Sequence, residues 1–193
     1  MTEVTPPMIR PASSPDAPHL ARMHVQSWQE TYPGLVPAAM LSSLSVETRT
    51  AAWARILGEP ASATVVFVAE NAGGIVGFGS CGRQRTEALK TSGYDGEISA
   101  IYVLREFQRR ALGARLLCAM ASSMQTRGMK AASLWVLRDN APARRFYERY
   151  GGQVIAQRED VRTEGVLLEV AYGWPDLVEF VRITGAGSAH TSS

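Results

Sequence analysis

Apolar positions along this chain alternate between a spacing near 3.6 and a spacing of two. The changes fall at clusters of Gly, Pro, Ser and Asp. MIRPA (8–12) reads as a short strand, stopped by Ser13-Ser14-Pro15-Asp16, which resembles a helix start. From Asp16 to Tyr32, Leu20, Met23, Ser27 and Trp28 recur at helical spacing until Pro33-Gly34 breaks the run. A second helix is predicted from about Pro37 to Leu57, with Leu41, Leu44, Trp53 and Ile56 as its core contacts. TVVFVAE (64–70) and IVGFGSCGRQR (75–85) read as a hairpin about Asn71-Ala72-Gly73-Gly74. TEALKTSGYDG (86–96) is a polar loop, followed by the strand EISAIYVL (97–104) and a helix from Leu112 to about Gln125. ASLWVL (132–137) is the next strand and APARRFYERY (141–150) a short helix, with Pro142 in its first turn and Gly151-Gly152 as its stop. GQVIAQ (152–157) and VLLEVAYGW (166–174) close the series as two strands joined by a charged loop.

The order is β-α-α-β-β-β-α-β-α-β-β. Strands joined by tight turns pair antiparallel, while 97–104 and 132–137, joined through a full helix, make one parallel right-handed crossover. The fold class is therefore α/β (α+β): a mixed, mostly antiparallel sheet of six to seven strands with helices on both faces. One domain over 8–175 accounts for these elements. Residues 1–7 are expected to be an unordered N-terminus. Residues 176–193, ending in the small, polar TGAGSAHTSS, are expected to be a mostly frayed extension.

Composition changes this picture little. The 193 residues are 46% hydrophobic and 20% charged, with net charge +2, too weakly basic to argue for nucleic acid. Cys81 and Cys118 have no close-spaced Cys or His partner, and His19, His24 and His190 form no ligand pattern, so no metal is expected. Reduced thiols suit a cytoplasmic protein. No window reaches the roughly 18 continuous apolar residues of a membrane span, and the start lacks the build of a secretory signal.

The chemistry concentrates at 105–118, REFQRRALGARLLC, where a strand ends, basic residues cluster and a helix begins. Free N–H groups and the dipole at a helix start favour an anion, and Arg109 and Arg110 add charge. Ala111 and Gly113 keep bulky side chains away. The loop alone would equally suit an exposed basic turn. Neither G-x-x-x-x-G-K-[ST] nor G-x-G-x-x-G at a βαβ turn is present.

About thirty residues further on, SLWVLRDNAPARRFYERYGG sets an Asn after a strand and an aromatic pair in a glycine-ended helix. Together the two stretches resemble the GCN5-related N-acetyltransferase superfamily. Gln108-Arg109-Arg110-Ala111-Leu112-Gly113 stands where that family has Gln/Arg-x-x-Gly-x-Gly/Ala. Asn140, Ala143, Phe146, Tyr147, Glu148 and Gly151 match its second signature, with Gly152 in place of the usual aromatic. Ala111 departs from the family's glycine, which puts affinity in question if that residue needs a positive φ.

The resemblance implies acetyl-CoA as co-substrate, held by Gln108, Arg109, Arg110, Ala111, Leu112, Gly113 and Ala114. It adds the strand backbone at Ile101, Tyr102 and Val103, together with Asn140 and Tyr147. It implies direct attack by an amine in a ternary complex. A lysine-like amine, pKa about 10.4, is neutral in roughly one molecule per thousand at pH 7, so a base or water chain must help. Tyr147 stands in the position of the family's general acid. Glu97 is the candidate base through water, or else an exposed strand-end glutamate; strict alternation sets it on one face with Ser99, Ile101 and Val103. Asn140 could equally be an N-cap. Trp28 and Tyr32 fall where the family builds the acceptor wall, though helix packing also explains them. The implied acceptor is a small-molecule primary amine or a peptide amino terminus. Two other readings stay open: a non-catalytic acetyl-CoA sensor, and a nucleic-acid module using Arg83, Arg85, Arg105, Arg109, Arg110, Arg115, Arg144 and Arg145. Exposed strand edges leave a homodimer open.

Overall fold

The computed structural model describes residues 6–59 and 63–189. Seven strands form one sheet in the order β1-β2-β3-β4-β5-β7-β6. They are β1 (Met8–Pro11), β2 (Val65–Asn71), β3 (Gly74–Arg83), β4 (Gly96–Val103), β5 (Ala132–Leu137), β6 (Gln153–Arg162) and β7 (Gly165–Trp174). Every neighbouring pair is antiparallel except β4–β5, the crossover expected from the intervening helix. The helices are α1 (Ala17–Thr31), α2 (Ala38–Ser42), α3 (Val46–Gly58), α4 (Glu87–Thr91), α5 (Leu112–Thr126), α6 (Ala141–Arg149) and α7 (Leu177–Ala189).

Three expectations are corrected. The single helix over 37–57 is two, because Ser45 turns extended and its hydroxyl accepts from the Thr48 N–H at 3.2 Å, capping a fresh start. Met40 and Trp53 are buried there, while Leu41, Leu44 and Ile56 are only half-buried. The polar loop over 86–96 contains α4, which buries Leu89. The C-terminal extension is not a frayed tail over 177–189 but helix α7. Asp176 Oδ1 accepts from the Val178 N–H at 2.8 Å, and Leu177, Phe180 and Thr184 are buried one turn apart. Of the N-terminal stretch, residues 1–5 lie outside the described residues; Pro7 is buried and its carbonyl accepts from Arg115 at 2.8 Å.

The sheet has a core on each face. One cluster joins Ile98, Leu134, Val136, Val170 and Tyr172 to α5, α6 and α7 through Leu117, Met120, Tyr147 and Phe180. The other joins Val66, Val68 and Phe78 to α1 and α3 through Leu20, Met23 and Trp53. The partition decides which strand residues face which chemistry. In β4 the alternation breaks: Ser80 pairs with Ala100 and Cys81 with Ile98, leaving Ser99 as a bulge. The bulge puts Ala100 and Tyr102 on the α1 side and Ile98 and Ile101 on the α5 side. Glu97, next to Ile98, is thereby turned away from the face of Ile101 and Val103, against the strict period-two reading.

Candidate functional site

The parallel strands β4 and β5 part company early. Gly96 pairs with Ala132 and Glu97 with Ser133, and there the pairing stops, although β4 runs on to Val103 and β5 to Leu137. The sheet therefore forks, and the β5-side backbone of Ile101, Tyr102 and Val103 faces an open wedge. Backbone groups deprived of a ladder need another partner, so an extended ligand arm can be received there.

The closed end of the fork is clamped by polar groups. Gln84 Nε2 donates to Ser133 Oγ at 2.6 Å, and Gln84 Oε1 accepts from the Arg85 and Thr86 N–H groups. Glu97 is locked beside them: Arg85 donates its backbone N–H and Nε–H to Oε2 and an Nη2–H to Oε1, the last at 2.5 Å. Both carboxylate oxygens of the candidate base are thus already committed.

Above the open end, the chain leaves β4 through a 3-10 turn (Arg105–Phe107) and enters α5. Glu30 at the end of α1 accepts from the Arg105 N–H at 2.8 Å and fixes where this loop departs. Gln108 turns its side chain back to the Val103 carbonyl at 3.0 Å. Arg109 (φ 59°) and Ala111 (φ 56°) are both left-handed. Ala111 is the N-cap of α5, and no acceptor among the described residues takes the N–H of Ala111, Leu112, Gly113 or Ala114. Four donors at a helix start with exposed Arg109 and Arg110 beside them make an anion cradle. Gly113 also serves the packing: a Cβ there would lie 2.9 Å from Phe146 Cζ, so its missing side chain lets α6 pack on α5.

The left-handed Ala111 carries a cost, because an L-residue with a Cβ pays roughly 1–2 kcal/mol in that region. Ala111→Gly should therefore stabilise the fold by about 0.5–1 kcal/mol after allowing for the freer unfolded chain. Urea unfolding checks this; a less stable variant would mean that residue 111 is not held left-handed.

Tyr147 reaches toward the fork from α6. Its side chain is 7% exposed, between Tyr172 and Trp174, and no described residue hydrogen-bonds its hydroxyl. Burial, with the Tyr102 phenol nearby, raises its pKa above that of a free tyrosine, so it stays protonated at neutral pH. Asn140 caps α6, its side-chain oxygen accepting from the Ala143 N–H at 3.2 Å.

On the α1 side, the Tyr32 and Tyr102 hydroxyls meet at 2.9 Å, and Trp28 stands edge-on to Tyr32 at 4.8 Å. Burial raises both phenol pKa values, and Tyr147 adds to the effect on Tyr32. The fork thus brings Tyr32, Tyr102 and Tyr147, drawn from the C-cap of α1, β4 and α6, around its open end. Trp28 belongs to the same wall. Glu97 does not: it lies at the clamped end. His24 is buried in the aromatic cluster behind Tyr102, and burial pushes it down to about 3, so it is neutral at physiological pH.

Sequence reasoning missed Glu169 and Arg158. They stand opposite each other on β7 and β6, with Arg158 Nε donating to Glu169 Oε2 at 2.7 Å. Their alternation with Val170 in VLLEVAYGW could have placed Glu169 on the face away from the α5-side core. Among the described residues no group of His, Cys, Asp and Glu is arranged to hold a metal, and no helix is long and apolar enough to cross a membrane.

A strand fork with unpaired N–H groups of a helix start at its mouth has the build of one class, and sequence comparison agrees with it. Residues 23–152 match the acetyltransferase (GNAT) family profile. The chain belongs to that family. It is 36% identical over 171 residues to the N-acetyltransferase YuaI of Bacillus subtilis, covering 88% of this chain and 93% of that one. Its fold matches that of the PaiA N-acetyltransferase of Thermoplasma acidophilum in complex with coenzyme A. The TM-score is 0.64 at 20% identity, over 86% of this chain and 98% of that one. It also matches yncA of Salmonella typhimurium, solved with its cofactor acetyl-CoA, at TM-score 0.65 and 18% identity over 89% and 94%.

Proposed function

We propose that this acetyltransferase moves the acetyl group of acetyl-CoA to a primary amine, of a small molecule or an amino terminus, by direct attack in a ternary complex. The observation that carries this reading is the fork itself: β4 and β5 separate beyond Glu97 and Ser133, directly below four unpartnered N–H groups at the start of α5. Those residues fit the co-substrate. The Ala111–Ala114 N–H groups would hold the pyrophosphate, Arg109 and Arg110 would add charge, and the β5-side backbone of Ile101–Val103, whose Val103 carbonyl Gln108 already engages, would receive the pantetheine arm. When bound, acetyl-CoA supplies a thioester carbonyl open to a neutral amine.

The chain's own groups do the rest. Tyr147 keeps its hydroxyl proton until the C–S bond breaks and gives it to the departing sulfur, while the proton that the nitrogen loses on forming the C–N bond passes through water to restore the phenol. Asn140 holds the start of α6 so that Tyr147 stays aimed at the fork. Tyr32 and Tyr102 exclude bulk water from the acceptor side and orient the incoming nitrogen. Glu97, expected as the base, is better assigned a positioning role, because Arg85 already occupies both of its oxygens and the pair braces the closed end of the fork. The arginines of the nucleic-acid reading are partly committed elsewhere: Arg85 to Glu97, Arg115 to the Pro7 carbonyl and Arg144 to Tyr172.

Calorimetric titration of the purified protein with acetyl-CoA tests the reading. Saturable micromolar binding, followed by amine-dependent release of free CoA thiol, is the expected result. Absence of binding would reduce the assignment to a fold.

A further inference from the structure

The acceptor side of the sheet carries three charges that acetyl transfer as described above does not use. Val170 and Tyr172 pack into the α5-side core, so Glu169, which precedes Val170 and alternates with it, projects toward the α1 side, where Tyr102 also faces. Its side chain is only 12% exposed, and one oxygen is taken by Arg158, whose guanidinium lies 4.2 Å from the Trp135 ring centroid. The other oxygen, Oε1, accepts no hydrogen bond among the described residues. The β6–β7 turn comes against the segment between α1 and α2: a Cβ at Gly165 would lie 3.2 Å from Pro37 Cγ.

Across the Tyr32–Tyr102 pair stands Arg49 of α3. It is half-buried, its guanidinium lies 5.7 Å from the Trp28 ring centroid, and it has no ion pair or side-chain hydrogen bond among the described residues. The register that pairs Gly96 with Ala132 and Leu137 with Glu169 sets Glu169 across the fork, level with the Ile101–Tyr102 end of β4, while Arg49 stands beside Trp28 on the β4 side. The acceptor side therefore presents a free carboxylate oxygen at one end and a free guanidinium at the other. With Arg158 counted, these three groups carry one net positive charge. A plain alkylammonium would meet one attractive group and two repulsive ones. An amine bearing an acid would satisfy both ends and leave Arg158 with Glu169.

Granting the amine acetylation proposed above, we infer that the acceptor is a primary amine carrying its own acidic group, an amino-acid-like zwitterion. Glu169 Oε1 takes its ammonium and Arg49 takes its carboxylate.

The test compares matched probes on CoA-saturated protein: glycine, β-alanine, 4-aminobutanoate and 5-aminopentanoate against methylamine, ethylamine, propylamine and butylamine. Shifts of the Arg49 Nε–H and Tyr102 ring resonances report binding. At least one amino acid should bind ten-fold or more tighter than its matched alkylamine, and its length reports the span between the two groups. Arg49→Met should abolish that advantage while alkylamine binding holds or rises, and Glu169→Gln should weaken both series. Unchanged acetyl-CoA affinity in each variant shows that the fold and the co-substrate site are intact. If acetyl-CoA binds but the alkylamines equal or beat the amino acids, or neither series moves these resonances, the inference is overturned and the acetyltransfer reading stands. If acetyl-CoA itself does not bind, both fall.

Discussion

Tyr147→Phe should lower amine-dependent turnover by about 10²–10⁴-fold, the usual range for loss of a positioned acid, and leave acetyl-CoA affinity within a factor of about two, well under 1 kcal/mol. The phenylalanine ring keeps the contacts with Tyr172 and Trp174, and the lost hydroxyl leaves no partner unsatisfied among the described residues. Stability should therefore hardly change, which makes the substitution a test of chemistry. Burial disfavours the phenolate and raises the pKa, so Tyr147 is protonated below the raised value and loses its proton only above it. The wild-type rate should accordingly show no decline from Tyr147 ionisation at the pH where a free tyrosine titrates, about 10. Single-turnover measurement of thiol release across pH checks both statements. Wild-type turnover in the variant would remove Tyr147 as the acid and leave it a core residue.

Most elements were legible because period and punctuation agree. The α5 and α6 patterns, the hairpin at Asn71–Gly74 and the crossover between β4 and β5 each follow from local signals. What escaped has physical reasons. The bulge at Ser99 comes from how β3 and β4 register against each other, and no glycine or proline marks it. The left-handed Arg109 is not a residue type that announces a positive φ, and at Ala111 only the family's glycine raised the question. The partner of Glu97 is Arg85, twelve residues away and dictated by pairing, so its ion pair could not be read from the strand alone. The acceptor side suffered most, since Arg49, Arg158 and Glu169 come together only through the tertiary fold.

Helix α7 was different, because its signals were present and were outweighed by the composition of the end of the chain. Asp176 is an N-cap, and Leu177, Phe180 and Thr184 keep a helical spacing before the small residues begin. That spacing has an energetic consequence. Phe180 is 1% exposed and stacks on Trp174 with ring centroids 4.4 Å apart and planes 16° from parallel. Trp174 in turn donates its indole N–H to the Tyr150 carbonyl at 2.8 Å, just where α6 ends. Phe180→Ala should therefore cost about 3–5 kcal/mol, the range for truncating a buried aromatic, read as a fall in the urea midpoint. Val178→Ala, at a position 64% exposed on the same helix, should stay within about 0.5 kcal/mol of wild type. Similar effects from the two substitutions would mean that α7 does not pack as a specific element. A large difference would make α7 a brace: it supports α5, whose first turn forms the anion cradle, and through Trp174 and Tyr150 it supports the helix that carries Tyr147. Losing the Phe180 contact should then weaken acetyl-CoA binding even under conditions where the variant is still folded, although no residue of α7 belongs to the proposed site.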